Sequence, residues 1–200
     1  MSWSGTKSDF ANQYGPLIKS LASGTGIFPE IAMGQAFIEG SDANGNMGKG
    51  TAMVNGNNVY NIRVSPGWTG ASTNADGILQ TDYELNPLNV VPFMPTWRAY
   101  DSIEDSIKDY FKFLQENDNY KNAGVFTAST PEAQAAALQK AGYAGAATNY
   151  ASVLSSVAAS AKKLMGDVVQ DAEDYSDYFI GLGLLVAGGY VAKKQGWIKL

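Results

Sequence analysis

The chain has 200 residues, of which 45% are hydrophobic and only 16% charged, so we expect one domain with an accessory segment. Its net charge of −5 argues against nucleic-acid binding through phosphate contacts. The sequence has no cysteine and no histidine, which excludes thiol nucleophiles, Ser-His triads and His-ligated metals. An enzyme of this composition must transfer protons with Asp, Glu, Tyr or Lys.

Two helices are predicted before residue 41. Apolar side chains recur at helical spacing over residues 9–21, and the Gly-rich segment 23–26 interrupts them. Pro29 suits the first turn of a second helix, which we expect to end at Glu39 with Gly40 as its stop.

The next segment, residues 41–95, is dense in Gly, Asn, Ser and Thr. Short strands are predicted at residues 59–64 and 77–85. We interpret the segment as a β-containing lobe with long loops.

Three further helices are predicted in the second half. Residues 102–105 form a capping-box pattern that opens the first of them. Thr130 precedes Pro131 at the start of the second, which ends near Gly142, and residues 149–163 form the third. The sequence thus indicates a mainly α (α+β) fold.

The C-terminal segment is hydrophobic. Residues 178–192 contain no charged side chain, and lysines follow them. A helix of this length spans about 22 Å, short of the roughly 30 Å hydrocarbon core, although snorkelling lysines extend its reach. We predict a domain over residues 1–163, an acidic linker or helix over 164–177, and a transmembrane helix with a basic end over 178–200. The alternative is a hydrophobic helix buried against the domain or a partner.

Glu39 is the candidate acid. Gln35 is the only polar residue between Glu30 and Glu39, which is typical of a buried helix. Burial and the negative end of the helix dipole both raise the pKa of a carboxyl group, and a protonated carboxylic acid is what glycosidic bond cleavage needs. The alternative is an ordinary exposed glutamate at a helix end.

Four segments, in this order, resemble glycoside hydrolase family 73, which contains flagellar and autolytic N-acetylglucosaminidases. They are residues 26–41, with the buried helix that ends in a glutamate; 57–63, Asn-Asn-Val-Tyr-Asn-Ile-Arg; 97–110, beginning Trp-Arg-Ala-Tyr; and 138–144, ending Ala-Gly-Tyr-Ala. Asn61 replaces a glycine of the family pattern, and Gly145-Ala146-Ala147 replace the frequent Thr-Asp-Pro.

The resemblance implies a lysozyme-like fold: a helical core, a small β-lobe and a cleft with Glu39 at its floor as the catalytic acid. Trp68, Tyr60 and Tyr143 would pack against sugar faces or position the N-acetyl group. The candidate substrate-binding residues are Gln35, Asn58, Tyr60, Trp68 and Tyr143.

The family also carries an acidic residue in its β-lobe. Asp82 matches it by the tyrosine that follows, Glu84 matches it by residue type, and Asp76 is a third candidate. The distance between the two carboxyl groups distinguishes inverting from retaining mechanisms, and the sequence does not determine it.

We predict hydrolysis of the β-1,4 bond after N-acetylglucosamine in peptidoglycan, with no metal or organic cofactor. One alternative is a lytic transglycosylase, which shares the fold and the acid but releases an anhydro sugar. Another is a non-catalytic, membrane-anchored structural or cell-wall-binding protein.

Residues 1–10 are polar and carry no apolar run, so we expect them not to be a secretory signal peptide. Together with the C-terminal segment, this suggests a bacteriophage protein of the virion or of host lysis, membrane-associated and with its domain facing peptidoglycan. Its predicted partners are glycan strands, a membrane, and virion or lysis-complex proteins, but not nucleic acid. A bacterial enzyme exported by a C-terminal anchor is the alternative.

Overall fold

The computed structural model describes residues 3–74, 96–145 and 147–166. Within these ranges the chain is mainly helical, with one small sheet, as the sequence predicts. The elements are α1 (Lys7–Ala22), α2 (Pro29–Glu39), α3 (Thr51–Gly56), β1 (Ser72–Asn74), β2 (Thr96–Arg98), α4 (Ile103–Glu116), α5 (Asp118–Ala123), a 3-10 helix (Val125–Thr127), α6 (Pro131–Lys140) and α7 (Tyr150–Gly166).

Helix α2 lies at the centre of the helical core, because α1, α6 and α7 all pack against it. Every residue from Ile31 to Phe37 is buried, including the polar Gln35. The apolar pattern of α2 therefore predicts its burial correctly, and Glu39 is carried at the C-terminal end of a rigid, well-packed element.

Gly40 ends α2 as predicted, and its N–H donates to the carbonyl of Ala36. Its φ of −82° is open to any residue, so conformational freedom is not the reason for glycine here. A Cβ at this position would lie 2.7 Å from the Ala36 carbonyl oxygen and 3.0 Å from Cε of Met47. Glycine is required at the end of α2 because there is no space for a side chain.

Two of the three helix starts predicted in the second half are confirmed by their caps. The Ser102 hydroxyl accepts the N–H of Asp105 at 3.1 Å, and the Thr130 hydroxyl accepts the N–H of Ala133 at 3.1 Å. Helix α7 continues beyond the predicted end at residue 163, and Met165 in its last turn is buried.

The strand predicted over residues 59–64 is wrong. Asn61 has a left-handed backbone with φ 52°, which interrupts an extended chain, and the segment forms a single isolated bridge, between Arg63 and Trp97. The small sheet is instead antiparallel β1 and β2, with Thr73 opposite Trp97. Helix α3 is also unpredicted, because its flanking glycines and asparagines indicate a loop.

The predicted strand at residues 77–85 and the predicted C-terminal helix at residues 178–200 lie outside the described residues. Among the helices that the structure does describe, none is long and apolar enough to cross a membrane.

Candidate active site

The Glu39 side chain is partly exposed, and both of its oxygens accept hydrogen bonds. The side-chain amide of Asn61 donates to Oε2 at 2.8 Å, from the turn that follows α3. The hydroxyl of Tyr150, the first residue of α7, donates to Oε1 at 3.5 Å. Three segments that are far apart in the sequence thus meet at one carboxyl group.

A series of buried side-chain hydrogen bonds, here called the polar chain, connects this carboxyl group to the core. The Tyr110 hydroxyl donates to Oε1 of Gln35, and Nε2 of Gln35 donates to the Tyr150 hydroxyl at 2.9 Å. The Tyr150 hydroxyl then donates to Glu39. Gln35 is 0% exposed, so the structure places this predicted substrate-binding residue inside the helical core, as a link between two tyrosines.

Tyrosine rings surround the polar chain. Tyr60 and Tyr110 stack with their ring centroids 3.9 Å apart, and both rings are buried. The Tyr143 hydroxyl donates to the carbonyl of Tyr60 at 3.1 Å, while its ring lies 5.9 Å from that of Tyr150. The structure therefore places the partly exposed Tyr143 beside Tyr150, whereas the Tyr60 ring is buried against Tyr110 and has no face open to a sugar.

Burial raises the pKa of Glu39 above its usual value, and the hydrogen bonds from Asn61 and Tyr150 oppose that effect. Burial also raises the pKa values of Tyr110, Tyr143 and Tyr150 well above the ordinary value of 10.0. These tyrosines are consequently neutral at physiological pH and act as hydrogen-bond donors. A carboxyl group with a raised pKa among neutral donors is suited to general acid catalysis.

Asn58, another predicted substrate-binding residue, is fully buried. Its Nδ2 donates to the carbonyls of Ile62 at 2.8 Å and Arg98 at 2.9 Å, and its Oδ1 accepts the N–H of Ile62 at 3.0 Å. Contact with a substrate would require Asn58 to leave these bonds. The Asn58 side chain shapes the turn that carries Asn61.

Trp68 belongs to a different cluster. The Arg98 guanidinium lies 4.4 Å from the centroid of the Trp68 ring and 5.4 Å from that of Phe113, and it pairs with Asp109 at 2.8 Å. These residues line a surface cavity of about 300 Å³. None of these contacts involves the Glu39 carboxyl group.

The candidates for the second carboxylate, Asp76, Asp82 and Glu84, lie outside the described residues. Within the described ranges, no group of three or more Asp, Glu, His or Cys residues could hold a metal ion.

The glucosaminidase family model, described as mannosyl-glycoprotein endo-β-N-acetylglucosaminidase, matches residues 15–163. The chain belongs to this glucosaminidase family. The resemblance drawn from four sequence segments and the prediction of a glycoside hydrolase are thereby confirmed.

Relatives of the family include the peptidoglycan hydrolase FlgJ of Pseudomonas aeruginosa, which is 33% identical over 135 residues, 64% of this chain and 30% of that protein. FlgJ of Salmonella typhimurium is 37% identical over 100 residues, 50% of this chain and 29% of that protein. The aligned part of the chain therefore spans about a third of the length of these curated relatives.

Solved structures share the fold. The glycoside hydrolase domain of Salmonella typhimurium FlgJ has a TM-score of 0.54 at 26% identity, covering 88% of this chain and 99% of that one. A peptidoglycan hydrolase from Sphingomonas sp. A1 has a TM-score of 0.62 at 24% identity, covering 82% of this chain and 96% of that one.

Two residues that contact Glu39 are absent from the site predicted for this glucosaminidase domain. Asn61 stands out in the sequence only as a replacement for glycine, and the pattern indicates neither its left-handed turn nor its contact with Glu39. Nothing in the sequence places Tyr150 near Glu39, because the distance between them depends on how α7 packs against α2.

Proposed function

We propose that this chain hydrolyses peptidoglycan by cleaving the glycan strand after N-acetylglucosamine. The observation that carries the proposal is Glu39, whose pKa is raised by burial and whose two oxygens accept bonds from Asn61 and Tyr150. Membership of the glucosaminidase family supports the bond type. Relatives whose names describe them as peptidoglycan hydrolases support the substrate.

In the proposed reaction, Glu39 gives its proton to the glycosidic oxygen as the bond to the sugar breaks. The carboxylate that results is stabilised by the amide of Asn61 and the hydroxyl of Tyr150. Asp82 or Glu84 would activate a water molecule or stabilise the positive charge that develops on the sugar ring. The tyrosines beside Glu39 have raised pKa values, so they stay neutral and do not compete for its proton.

The experiment compares wild type with Glu39→Gln on purified cell walls, using a zymogram and a turbidity assay. Glutamine keeps the size of the side chain but cannot give up a proton, so lysis should fall by about a hundred- to ten-thousand-fold. A folded Glu39→Gln protein that lyses walls at the wild-type rate would refute the mechanism.

Glu30→Gln is the matched control. Glu30 lies in the first turn of the same helix and pairs with Lys162 at 3.2 Å. The control makes the same chemical change at the other end of α2, so it should leave lysis close to the wild-type rate. Equal losses in both variants would mean that damage to α2, and not loss of the acid, stops the reaction.

Mass spectrometry of the released fragments separates two reactions that one acid can support. A hydrolase adds water and leaves a reducing N-acetylglucosamine end, whereas a lytic transglycosylase leaves an anhydro sugar that is lighter by one water. Anhydro products would show that the enzyme is a lytic transglycosylase and not a hydrolase, with Glu39 still acting as the acid. Binding to walls without any cleavage would favour the structural alternative.

We also propose that residues 178–200 hold the enzyme at a membrane, with the domain facing peptidoglycan. The support is the uncharged run at residues 178–192 and the lysines that follow it. A phage virion or a host-lysis complex is the setting that we propose for such an anchored enzyme. Cell fractionation of an infected or producing host tests the location.

A further inference from the structure

Asn61 has an unusual backbone conformation. Its φ of 52° lies in the left-handed region, which glycine adopts freely and asparagine tolerates better than most residues. Among the described residues, Asn57 is the other non-glycine residue with a positive φ, at 51°. A glycine would suit the backbone at either position, so the side chain of Asn61 is not required for the turn itself.

The turn around Asn61 is held on both sides. Asn58 accepts the N–H of Ile62 at 3.0 Å, and Tyr143 donates to the carbonyl of Tyr60 at 3.1 Å. The Asn61 side chain therefore projects from a fixed backbone, and its Nδ2 lies 2.8 Å from Oε2 of Glu39. This is the shorter of the two hydrogen bonds that Glu39 accepts.

We propose that Asn61 is a positioning residue that makes Glu39 a stronger acid by stabilising the carboxylate that remains once its proton has left. An amide N–H can only donate, so it bonds more strongly to a charged carboxylate than to a neutral carboxyl group. The inference rests on the proposed role of Glu39 as the general acid. It adds a residue that controls when and how readily the proton is released.

The neighbours of Glu39 allow this effect to be measured. Three tyrosines in the described part of the chain interact electrostatically with Glu39: Tyr110 on α4, Tyr143 after α6 and Tyr150 on α7. Burial raises the pKa values of all three well above 10.0, so they stay neutral while Glu39 titrates. Loss of activity with rising pH then reports the deprotonation of Glu39.

The experiment uses the full chain and the variant Asn61→Gly, which fits the left-handed backbone and removes the amide. The rate on purified peptidoglycan is measured against pH, and the Glu39 carboxyl carbon is titrated by NMR after isotope labelling. We expect both the basic limb of the rate profile and the NMR titration to move to higher pH. The maximal rate should fall by about tenfold, because a weaker acid releases its proton more slowly.

Asn57→Gly is the matched control. Asn57 has the same backbone conformation, but its amide donates to the carbonyls of Tyr100 at 2.9 Å and Asp101 at 3.3 Å. This variant should keep the wild-type pH profile. Asn61→Asp, which keeps the shape but brings a second negative charge, should move the basic limb further upward than Asn61→Gly. It also serves as the second variant if Asn61→Gly does not fold.

An unchanged titration of Glu39 in Asn61→Gly would overturn the inference, as would an equal shift in Asn57→Gly. The result with Glu39→Gln separates this failure from that of the proposed function. If Glu39→Gln is inactive but Asn61→Gly titrates like wild type, only the role of Asn61 is lost. If Glu39→Gln stays active, Glu39 is not the acid, whatever Asn61 does to its pKa.

Discussion

Gly34 of α2 and Ala158 of α7 mark a very close approach of two helices. A Cβ at position 34 would lie 3.2 Å from the backbone nitrogen and Cα of Ala158, and 3.2 Å from Cδ1 of Leu154. The same two helices carry Glu39 and Tyr150, which meet at 3.5 Å. The contact between α2 and α7 consequently fixes the position of the acid relative to its tyrosine.

Gly34→Ala should destabilise the protein by about 1–3 kcal/mol, because the added methyl group forces the backbone at Ala158 and the Leu154 side chain to shift by a few tenths of an ångström. The better helix propensity of alanine offsets only about 1 kcal/mol. Urea unfolding measures the change. Gly166→Ala, where a Cβ meets nothing within 4 Å, is the control and should stay within about 0.5 kcal/mol of wild type. A Gly34→Ala protein as stable as wild type would show that the helices can separate at low cost.

Glu39→Gln should become more stable relative to wild type as the pH rises. The pKa of Glu39 is raised in the folded protein, so folding is favoured while Glu39 is protonated. That contribution is complete below the ordinary value of 4.5 and is lost as the pH rises through the folded pKa. Thermal melts of both proteins, from below pH 4.5 to neutrality, measure the difference. If the difference in melting temperature between the two proteins is the same at every pH in this range, burial does not shift the pKa of Glu39.

Asp82→Asn should lower turnover more than Glu84→Gln. The reason is that Asp82 is followed by Tyr83, as the acidic residue of the family pattern is followed by a tyrosine. Initial rates on purified peptidoglycan, with unchanged wall binding as the control, test the order. Rates near wild type for both variants would direct attention to Asp76 or to a mechanism with a single carboxyl group.

A chain truncated after residue 168 should stay in the aqueous phase and remain active, whereas the full chain should partition into detergent. The cut must lie beyond α7, because Met165 is buried and its carbonyl accepts a bond from Lys19 at 2.7 Å. Residues 1–168 also form one compact unit by their contacts. Detergent phase separation measures the partition. Recovery of the full chain in the aqueous phase without detergent would contradict the membrane proposal.

Sequence by itself determined the chemistry that is available and the elements that carry it. Without histidine or cysteine, a carboxyl group is the natural acid, and the apolar run before Glu39 indicates a buried helix. The helix caps at Ser102 and Thr130 could also be predicted from the sequence. These features are local, because helical periodicity and capping depend on residues within a few positions of one another.

Tertiary structure alone decided what surrounds Glu39. Asn61 and Tyr150 lie 22 and 111 residues from Glu39 in the sequence, and their hydrogen bonds exist only because α2 packs against α7 and the turn after α3. The tertiary structure also places Gln35 and Asn58 in the interior, where their amide side chains form hydrogen bonds with buried polar groups. The spacing of residues in a sequence does not reveal such partners, because each partner belongs to a distant segment that comes into contact only when the chain folds.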